Sequence, residues 1–406
     1  MLRSSEVMHL VRHHAYEFGV RGVDPNALSF DLTTAIARKD KIVGGIISGI
    51  HSGLKKNSGI TFLTGRAEFT SPVDIRLDGQ AITADKSILA VGATPTVPTI
   101  PGLDEAGFIT NNEALKLGAL PASMIIIGGG YIGIEFAQMY ARFGTGVTLL
   151  GRAPRLMPKE EPELSGQLEE ILQSEGIKVH TSTEVIRAGR DDTSRYVISR
   201  NGEVEQRMNA EIILLATGRT ARVDGLGLEQ AGVDLNGAFL KTDDQLNTTA
   251  PNIWSLGDAN GGQMFTHRAT YDGPIAALNA VKSLGRAVDY RVVPRAIFTE
   301  PALASVGLTE EEARQAGHAV KVGSYSFAHS GRGKALGQNE GLVKLVVDGD
   351  SREILGGHIL GPHADMLIHE VVIAMQGRST IETLAKAIHI HPTLNEIVKS
   401  AAKAVQ

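Results

Sequence analysis

The 406-residue sequence contains no cysteine. This absence excludes disulfide bonds, thiolate metal sites and a cysteine nucleophile within the chain. The longest apolar run, from Met124 to Ile134, is broken by glycines and is much shorter than the ~20 residues that span a bilayer, so no membrane segment is expected. The net charge of -5 provides no basic surface for nucleic acid or anionic lipid, so neither is expected as a partner.

The rest of the composition is typical of a globular protein, with 42% hydrophobic and 21% charged residues. A chain of this length exceeds one hydrophobic core, and a prior of about 150 residues per domain predicts two or three domains. Arg3 and Glu6 stand where a secretory signal would be apolar, so a cytoplasmic location is expected.

A strand-helix-strand unit is predicted from Met124 to Ile127, Ile132 to Phe143 and Gly146 to Leu150. The turn between its first strand and its helix is Gly128-Gly129-Gly130-Tyr131-Ile132-Gly133. Glycines allow the backbone to approach a pyrophosphate, and the amides of a helix N-terminus bind the anion. The pattern therefore indicates a dinucleotide site, and the alternative is a glycine-rich packing turn.

The second strand of this unit is followed by Gly151, Arg152 and, shortly afterwards, Arg155. Folds that bind NAD place an acidic residue here for the ribose 2′-hydroxyl, whereas arginines suit the 2′-phosphate of NADP. The alternative is a pair of solvated arginines beside Lys159. The choice between NADP and NAD is open at this point.

An internal repeat links Ser87 to Pro95 with Glu211 to Arg219, because both segments are an apolar strand followed by a glycine. The repeat implies two copies of one dinucleotide-binding fold. In the second copy, the glycine turn at Gly128 precedes Gly218. Gly92 takes the place of Gly218 in the first copy, so the same spacing puts the first copy's glycine turn near or before residue 2. We therefore expect the first strand and turn to lie upstream of Met1.

Asp258 follows a short apolar strand in Asn252-Ile-Trp-Ser-Leu-Gly-Asp258. Its carboxylate is suited to accept hydrogen bonds from a ribose or another polyol. The alternative is an ordinary turn, since Gly-Asp pairs are common in turns.

A histidine and a carboxylate are close together in His391-Pro392-Thr-Leu-Asn-Glu396. Proline holds His391 in extended backbone, and a helix that starts at Pro392 would bring Glu396 back to the imidazole. A histidine oriented by a carboxylate is a natural acid/base near neutral pH. The alternative is a surface histidine before a helix. His389 and His391 lack further ligands of suitable spacing, so no metal site is predicted.

These motifs resemble, in their order along the chain, those of the class I pyridine nucleotide:disulfide oxidoreductases. The similarity is to the dihydrolipoamide dehydrogenase and mercuric reductase branch and covers essentially the whole chain. The motifs that carry it are Gly128 to Glu135, Ala216 to Arg219, Thr249 to Asp258, Phe298 to Pro301 and His391 to Glu396.

The resemblance implies an α/β fold with two Rossmann-like domains, the first of them incomplete, and a C-terminal α+β dimerisation domain. The FAD-binding domain would comprise residues 1–118 and 247–292, the NAD(P)-binding domain residues 119–246, and the dimerisation domain residues 293–406. A homodimer follows from this assignment.

The resemblance also implies that electrons pass from NAD(P)H through FAD to a small-molecule or protein-bound disulfide/dithiol acceptor. His391 would be the acid/base, oriented by Glu396 and supplied across the dimer interface, and Tyr131 would gate the nicotinamide pocket. The residues implied to contact FAD are Asp258, Met264, Phe265, Thr266 and His267 with Val91, Gly92 and Ala93. Those implied to contact the nicotinamide nucleotide are Gly128 to Gly133, Glu135, Gly151, Arg152, Arg155, Val185 and Gly218.

The sequence departs from the family pattern at its start, because Met1-Leu-Arg aligns with the helix just after the family's CxxxxC motif. The flavin glycine turn, the redox disulfide and a lysine that would pair with Glu135 are therefore expected to be missing, as in an N-terminally shortened enzyme. Two alternatives are a non-enzymatic remnant that binds NADP(H) and dimerises, and a cysteine-free diaphorase that reduces quinones or oxygen.

Overall fold

The computed structural model describes residues 1–406, which form two compact units. Unit one contains Met1–Arg38, Val97–Thr217 and Arg291–Gln406, and unit two contains Lys39–Thr96 and Gly218–Tyr290. The domain boundaries at residues 118, 246 and 292 stay predictions, because compact units need not coincide with cofactor-binding domains.

Unit one contains a four-stranded parallel sheet whose central strand is the apolar segment Ser123–Ile127. The strands are, in spatial order, Ile212–Leu215, Ser123–Ile127, Gly146–Leu150 and Lys178–His180. Helices Tyr131–Phe143 and Pro162–Ser174 connect consecutive strands. The central strand is buried on both faces, as expected for parallel sheets covered by helices. The predicted strand-helix-strand unit is confirmed.

A three-stranded antiparallel sheet follows in the same unit. Its strands are Glu184–Arg190, Arg195–Asn201 and Val204–Ala210. The turn between the last two includes Gly202, which has a φ of +58° that glycine adopts without strain.

The last part of unit one is a five-stranded antiparallel sheet covered by helices. Its strands are, in spatial order, Arg295–Ile297, Ala302–Gly307, Ile354–Gly361, Leu342–Asp348 and Val320–Ser326. Its helices are Glu310–Gln315, Gly331–Leu336, Ala364–Gln376, Ile381–Lys386 and Glu396–Lys403, with the 3₁₀ turn Phe327–His329. The predicted α+β character of this region is confirmed.

The chain begins in a helix, as predicted, with Leu2–His9 continuing as the π-helical turn Leu10–His14. The short helices Leu103–Ala106 and Asn111–Ala114 complete unit one, and the long helix Leu32–Lys56 begins there and ends in unit two. None of the helices combines the length and the apolar character that crossing a bilayer requires.

Unit two consists of small sheets and one long helix, Thr266–Lys282. One sheet pairs Ser87–Leu89 in parallel with Ile253–Ser255 and has only these two strands. The other strands are Ala67–Phe69, Asp74–Leu77, Gln80–Thr83, Ala93–Pro95, Arg219–Ala221, Leu235–Asn236 and Phe239–Leu240, and the short helices are Leu228–Ala231 and Gly257–Asn260. The chain bends after Thr83 and starts a different sheet at Ser87, so residues 81–91 do not form one continuous strand.

A buried ion-pair network centred on Arg142 joins separate segments of unit one. The Arg142 side chain is 4% exposed and lies 2.7 Å from both Glu175 and Glu300. Gln138 on the same helix donates to the Glu300 backbone carbonyl at 2.7 Å. Burial raises the pKa of the Glu300 carboxyl, and the ion pair with Arg142 opposes this effect.

We expect Arg142→Ala to lower the free energy of unfolding by about 3 kcal/mol, because it leaves two poorly hydrated carboxylates without their cation. Urea denaturation followed by circular dichroism measures the change. The matched control is Arg200→Ala, whose exposed ion pair with Glu205 should contribute at most about 1 kcal/mol. Equal losses in the two variants would contradict the central role of Arg142.

Candidate functional site

The glycine turn at Gly128 brings a strand and a helix closer together than side chains would permit. Gly128 has a φ of +128°, and a Cβ placed there would lie 2.1 Å from the carbonyl oxygen of Ala216. A Cβ on Gly133 would lie 1.9 Å from the carbonyl oxygen of Gly128. Both distances are impossible for any side chain, so glycine is required at each position.

The same turn leaves an opening at the N-terminus of helix Tyr131–Phe143. Gly130 is the N-cap residue in extended backbone, no side chain caps the helix, and a Cβ on Gly130 would meet no atom within 4 Å. The first amides of a helix have no partner inside the helix and carry the positive end of its dipole. This arrangement fits the pyrophosphate of a dinucleotide.

The loop after the second parallel strand contacts the glycine turn. The Met157 backbone N–H donates to the carbonyl oxygen of Gly129 at 3.0 Å, and a Cβ on Gly129 would be 2.9 Å from Leu156. Arg152 is exposed, whereas Arg155 donates from Nη2 to the Pro158 carbonyl at 2.8 Å. The structure therefore places both predicted arginines on a loop that packs against the predicted pyrophosphate turn.

Tyr131 at the start of the helix is held by a buried carboxylate. Its hydroxyl donates to Oε1 of Glu160, which also lies 2.6 Å from Nε of Arg295. Burial and the nearby Glu160 charge raise the pKa of the Tyr131 phenol, so the hydroxyl keeps its proton. No sequence motif indicated Glu160 or Arg295, which are far apart along the chain.

Glu135 lies one turn further along the helix and accepts a hydrogen bond from the Phe298 backbone N–H at 2.9 Å. Burial raises the pKa of its carboxyl, and the Phe298 hydrogen bond opposes this shift.

The residues predicted to contact FAD lie in unit two, at the carboxyl ends of its two parallel strands. Val91, Gly92 and Ala93 follow strand Ser87–Leu89, and Asp258 follows strand Ile253–Ser255. Ligands of parallel α/β sheets bind at this end of the strands. Gly92 has a φ of +69°, and a Cβ placed on it would meet no atom within 4 Å, so its backbone is open to a ligand. These residues fit a flavin nucleotide.

Two charged residues that sequence reasoning missed hold the Asp258 turn. Asp272 accepts from the Gly257 backbone N–H at 3.2 Å, and Arg268 donates to the Gly261 carbonyl. Their spacing of four residues on helix Thr266–Lys282 was the one available signal. Met264 and Phe265 precede this helix, Thr266 and His267 begin it, and the rings of Phe265 and His267 stack at 5.2 Å.

Two further predicted residues have different surroundings. Val185 is buried in an apolar cluster with Ile125 and Leu150, so its side chain serves the core. Gly218, in unit two, has a φ of +110° and accepts a hydrogen bond from the Thr96 backbone N–H at 2.9 Å.

His391 and Glu396 form the pair predicted from the sequence. Nδ1 of His391 lies 3.1 Å from Oε1 of Glu396, and the His391 side chain is 81% exposed. The Thr393 backbone N–H and then the imidazole lower the pKa of the Glu396 carboxyl, so it is an ionised acceptor. Nδ1–H therefore donates to Glu396, which leaves Nε2 of the neutral ring with its lone pair.

The expectation that a helix starts at Pro392 is wrong. Helix Glu396–Lys403 begins at Glu396 itself, with Asn395 as its N-cap residue. The residues before it form a bend in which the Thr393 hydroxyl donates to the Ile390 carbonyl at 2.8 Å. Glu396 reaches the imidazole because the bend, and not a helical turn, folds the chain back.

His389 points to a different carboxylate from His391. Its Nε2 lies 3.2 Å from Glu370, and Glu370 also accepts from Asn395. The structure contains no group of three His, Asp or Glu side chains arranged to hold a metal ion.

Comparison with known families places these features together. The family model described as pyridine nucleotide-disulphide oxidoreductase matches residues 8–273, and the model of that family's dimerisation domain matches residues 293–402. The chain belongs to this family. The pyridine nucleotide-disulphide oxidoreductases use FAD and NAD(P)H, and the chain is accordingly a flavin-dependent oxidoreductase.

Relatives of this oxidoreductase include two dihydrolipoyl dehydrogenases. That of Chlorobaculum tepidum is 38% identical over 99% of this chain and 86% of its own length. That of Bacillus subtilis is 34% identical over 99% of this chain and 87% of its own length. Among solved structures, the HOCl-induced flavoprotein disulfide reductase RclA from Escherichia coli superposes with a TM-score of 0.87 at 29% identity, covering 98% of this chain and 89% of that one.

The dimerisation domain of the oxidoreductase supports a homodimer. It exposes apolar side chains beside His391: Ile388 is 99% exposed and Ile390 is 80% exposed, and Met366 and Ile373 on helix Ala364–Gln376 are also uncovered. Exposed apolar side chains at this density are typical of a protein interface.

We expect Glu135→Gln to stabilise the oxidoreductase at neutral pH, with no effect near pH ~4. Burial raises the carboxyl pKa in the folded state, so folding favours the protonated form. As the pH rises from the Glu135 pKa of the unfolded state through that of the folded state, the wild-type protein loses this stability. A glutamine at this position cannot ionise and still accepts the hydrogen bond from Phe298.

Urea denaturation at several pH values measures this difference. The control is Glu203→Gln in an exposed turn, which should leave the pH dependence unchanged. If Glu135→Gln had the same free energy of unfolding as wild type at every pH, burial would not destabilise the charged carboxylate.

Proposed function

We propose that this protein oxidises NADPH and passes the electrons to a disulfide or a related acceptor. The observation that carries the nucleotide assignment is the contact between the Gly128–Gly133 turn and the loop of Arg152 and Arg155. The loop offers two cations and no carboxylate immediately after the strand, which favours a ribose 2′-phosphate over a 2′-hydroxyl.

FAD, when bound, would supply the redox chemistry that links the nicotinamide nucleotide to the acceptor. In this proposal Asp258 accepts hydrogen bonds from the polyol part of the cofactor, and the open backbone at Gly92 lies along its nucleotide half. Asp272 and Arg268 keep the Asp258 turn in place through their bonds to Gly257 and Gly261.

His391 holds the proton that the acceptor needs. Glu396 accepts a hydrogen bond from Nδ1–H of His391. Nε2 is therefore the atom that gains and loses a proton during turnover. Because the His391 side chain and the nearby Ile388 and Ile390 are all exposed, the site would be completed by a second copy of the chain that covers these isoleucines. The dimerisation domain supports this arrangement.

The 406 residues supply no thiol, so in this proposal the acceptor takes up a hydride and a proton without one. With NADPH as the donor of a hydride and the imidazolium form of His391 as the donor of its Nε2 proton, a disulfide becomes two thiols and NADP⁺ is formed, and solvent returns a proton to Nε2. A quinone takes up the same hydride and proton and becomes a hydroquinone. Neither reaction needs a thiol in the protein, so the diaphorase alternative shares the nucleotide site and the proton donor.

The visible absorption spectrum of the protein, purified from flavin-replete cells, tests the proposal. We expect a flavin band in stoichiometric amount that NADPH bleaches under anaerobic conditions. Lipoamide and a naphthoquinone are then supplied as acceptors, and we expect oxidation of NADPH in the presence of lipoamide.

The outcomes separate the candidate functions. Turnover with the quinone alone would overturn the disulfide acceptor and support the diaphorase. A colourless protein that still binds NADPH would overturn the enzyme and support the non-enzymatic alternative that binds NADP(H) and dimerises.

We expect His391→Asn to slow acceptor reduction by about 10²- to 10⁴-fold, because the variant lacks the proton donor. Bleaching of the flavin by NADPH should be unchanged, since this step does not use His391. Stopped-flow absorbance measures the two steps separately.

The control for this variant is His363→Asn. His363 is exposed, lies outside the proposed site and has a φ of +55°, which asparagine tolerates. Unchanged acceptor reduction in His391→Asn would remove His391 from the mechanism.

A further inference from the structure

Glu160 is a buried carboxylate that connects the nucleotide site with the C-terminal sheet. It is 1% exposed, accepts the Tyr131 hydroxyl on Oε1 and lies 2.6 Å from Arg295 on strand Arg295–Ile297. Its other oxygen, Oε2, has no hydrogen-bond partner. The ion pair with Arg295 is therefore what compensates the buried charge.

The neighbouring Glu161 makes a second connection of the same kind. Its carboxylate lies 2.6 Å from Nζ of Lys344 and accepts from the Glu310 backbone N–H at 3.1 Å. Two consecutive buried carboxylates therefore fix the end of the loop from residue 151 to residue 161, which we name the arginine loop.

The beginning of the arginine loop is fixed to the parallel sheet. The Gly151 N–H donates to the His180 carbonyl at 2.8 Å, and the Gly151 carbonyl accepts from the Thr183 N–H at 2.9 Å. In its middle, Met157 has a φ of +46° and bonds to Gly129. Between the two arginines the Ala153 carbonyl accepts from the Ser182 N–H at 2.8 Å, so the backbone of the loop is held at its beginning, in its middle and at its end.

The geometry points to Glu160 as a positioning residue that makes the nucleotide site selective for a ribose 2′-phosphate. This inference rests on the proposed function, since it assumes that the glycine turn binds NADPH. Arginine side chains have many rotamers, and they favour one anion position only where their backbone is fixed. The Glu160–Arg295 ion pair supplies that constraint at the end of the loop.

Glu160→Gln tests this role, because the amide oxygen still accepts from Tyr131 while the ion pair with Arg295 is lost. The dissociation constants of NADPH and NADH are measured by nucleotide fluorescence, without turnover. We expect the constant for NADPH to rise about tenfold, the equivalent of one charge-assisted hydrogen bond to phosphate, and the constant for NADH to stay the same.

The matched control is Glu163→Gln, which removes a carboxylate of the same segment that is half exposed and 3.8 Å from Lys344. It should leave both dissociation constants unchanged. Tyr131→Phe removes the hydroxyl at the start of the helix and keeps the Glu160–Arg295 ion pair, so it should affect NADPH and NADH equally. If Glu160→Gln does not fold, Arg295→Lys takes its place, because it weakens the same ion pair. It should raise the dissociation constant of NADPH, but not that of NADH, to a smaller extent.

A folded Glu160→Gln variant that keeps the wild-type preference for NADPH would overturn the role of Glu160 and leave the proposed function intact. Equal weakening of NADPH and NADH would also overturn it, because it indicates a general loss of structure. A wild-type protein that binds neither nucleotide, or prefers NADH, would overturn the proposed function and this inference together.

Discussion

The close approach of two backbone segments at Gly128 and Gly133 is the constraint on which the nucleotide side of the structure depends. The helix can start directly behind the strand because no Cβ separates Gly133 from the Gly128 carbonyl. This start places Gly130 at the opening, Tyr131 against Glu160, and Glu135 beside Phe298. A side chain at either glycine would displace all of these contacts at once.

Short-range patterns predicted much of the fold and of the candidate site. The strand Ser123–Ile127 and its helix follow from apolar periodicity, and the His391–Glu396 pair from a spacing of five residues. The long helix Leu32–Lys56 escaped prediction, since Gly44, Gly45, Gly49 and Gly53 weaken helix propensity and its apolar side chains are largely exposed.

Contacts between residues distant in sequence could not be predicted at all. Glu160 and Arg295 are 135 residues apart, and nothing local distinguishes this carboxylate from the adjacent Glu161 and the nearby Glu163. In the structure the three carboxylates differ in their burial and in their partners. The bend before Glu396 was missed for a related reason, because a proline indicates where a helix can start but does not require one there.

Ile388 and Ile390 lie just before His391, the proposed proton donor, in the sequence, so one short segment serves both association and chemistry. Natural variation in this segment cannot alter one property without touching the other. A peptide or protein that covered these isoleucines in place of the second copy would also bury Nε2 of His391. Competition for the subunit surface would then act as inhibition, although such a competitor would bear no resemblance to the nucleotide or to the acceptor.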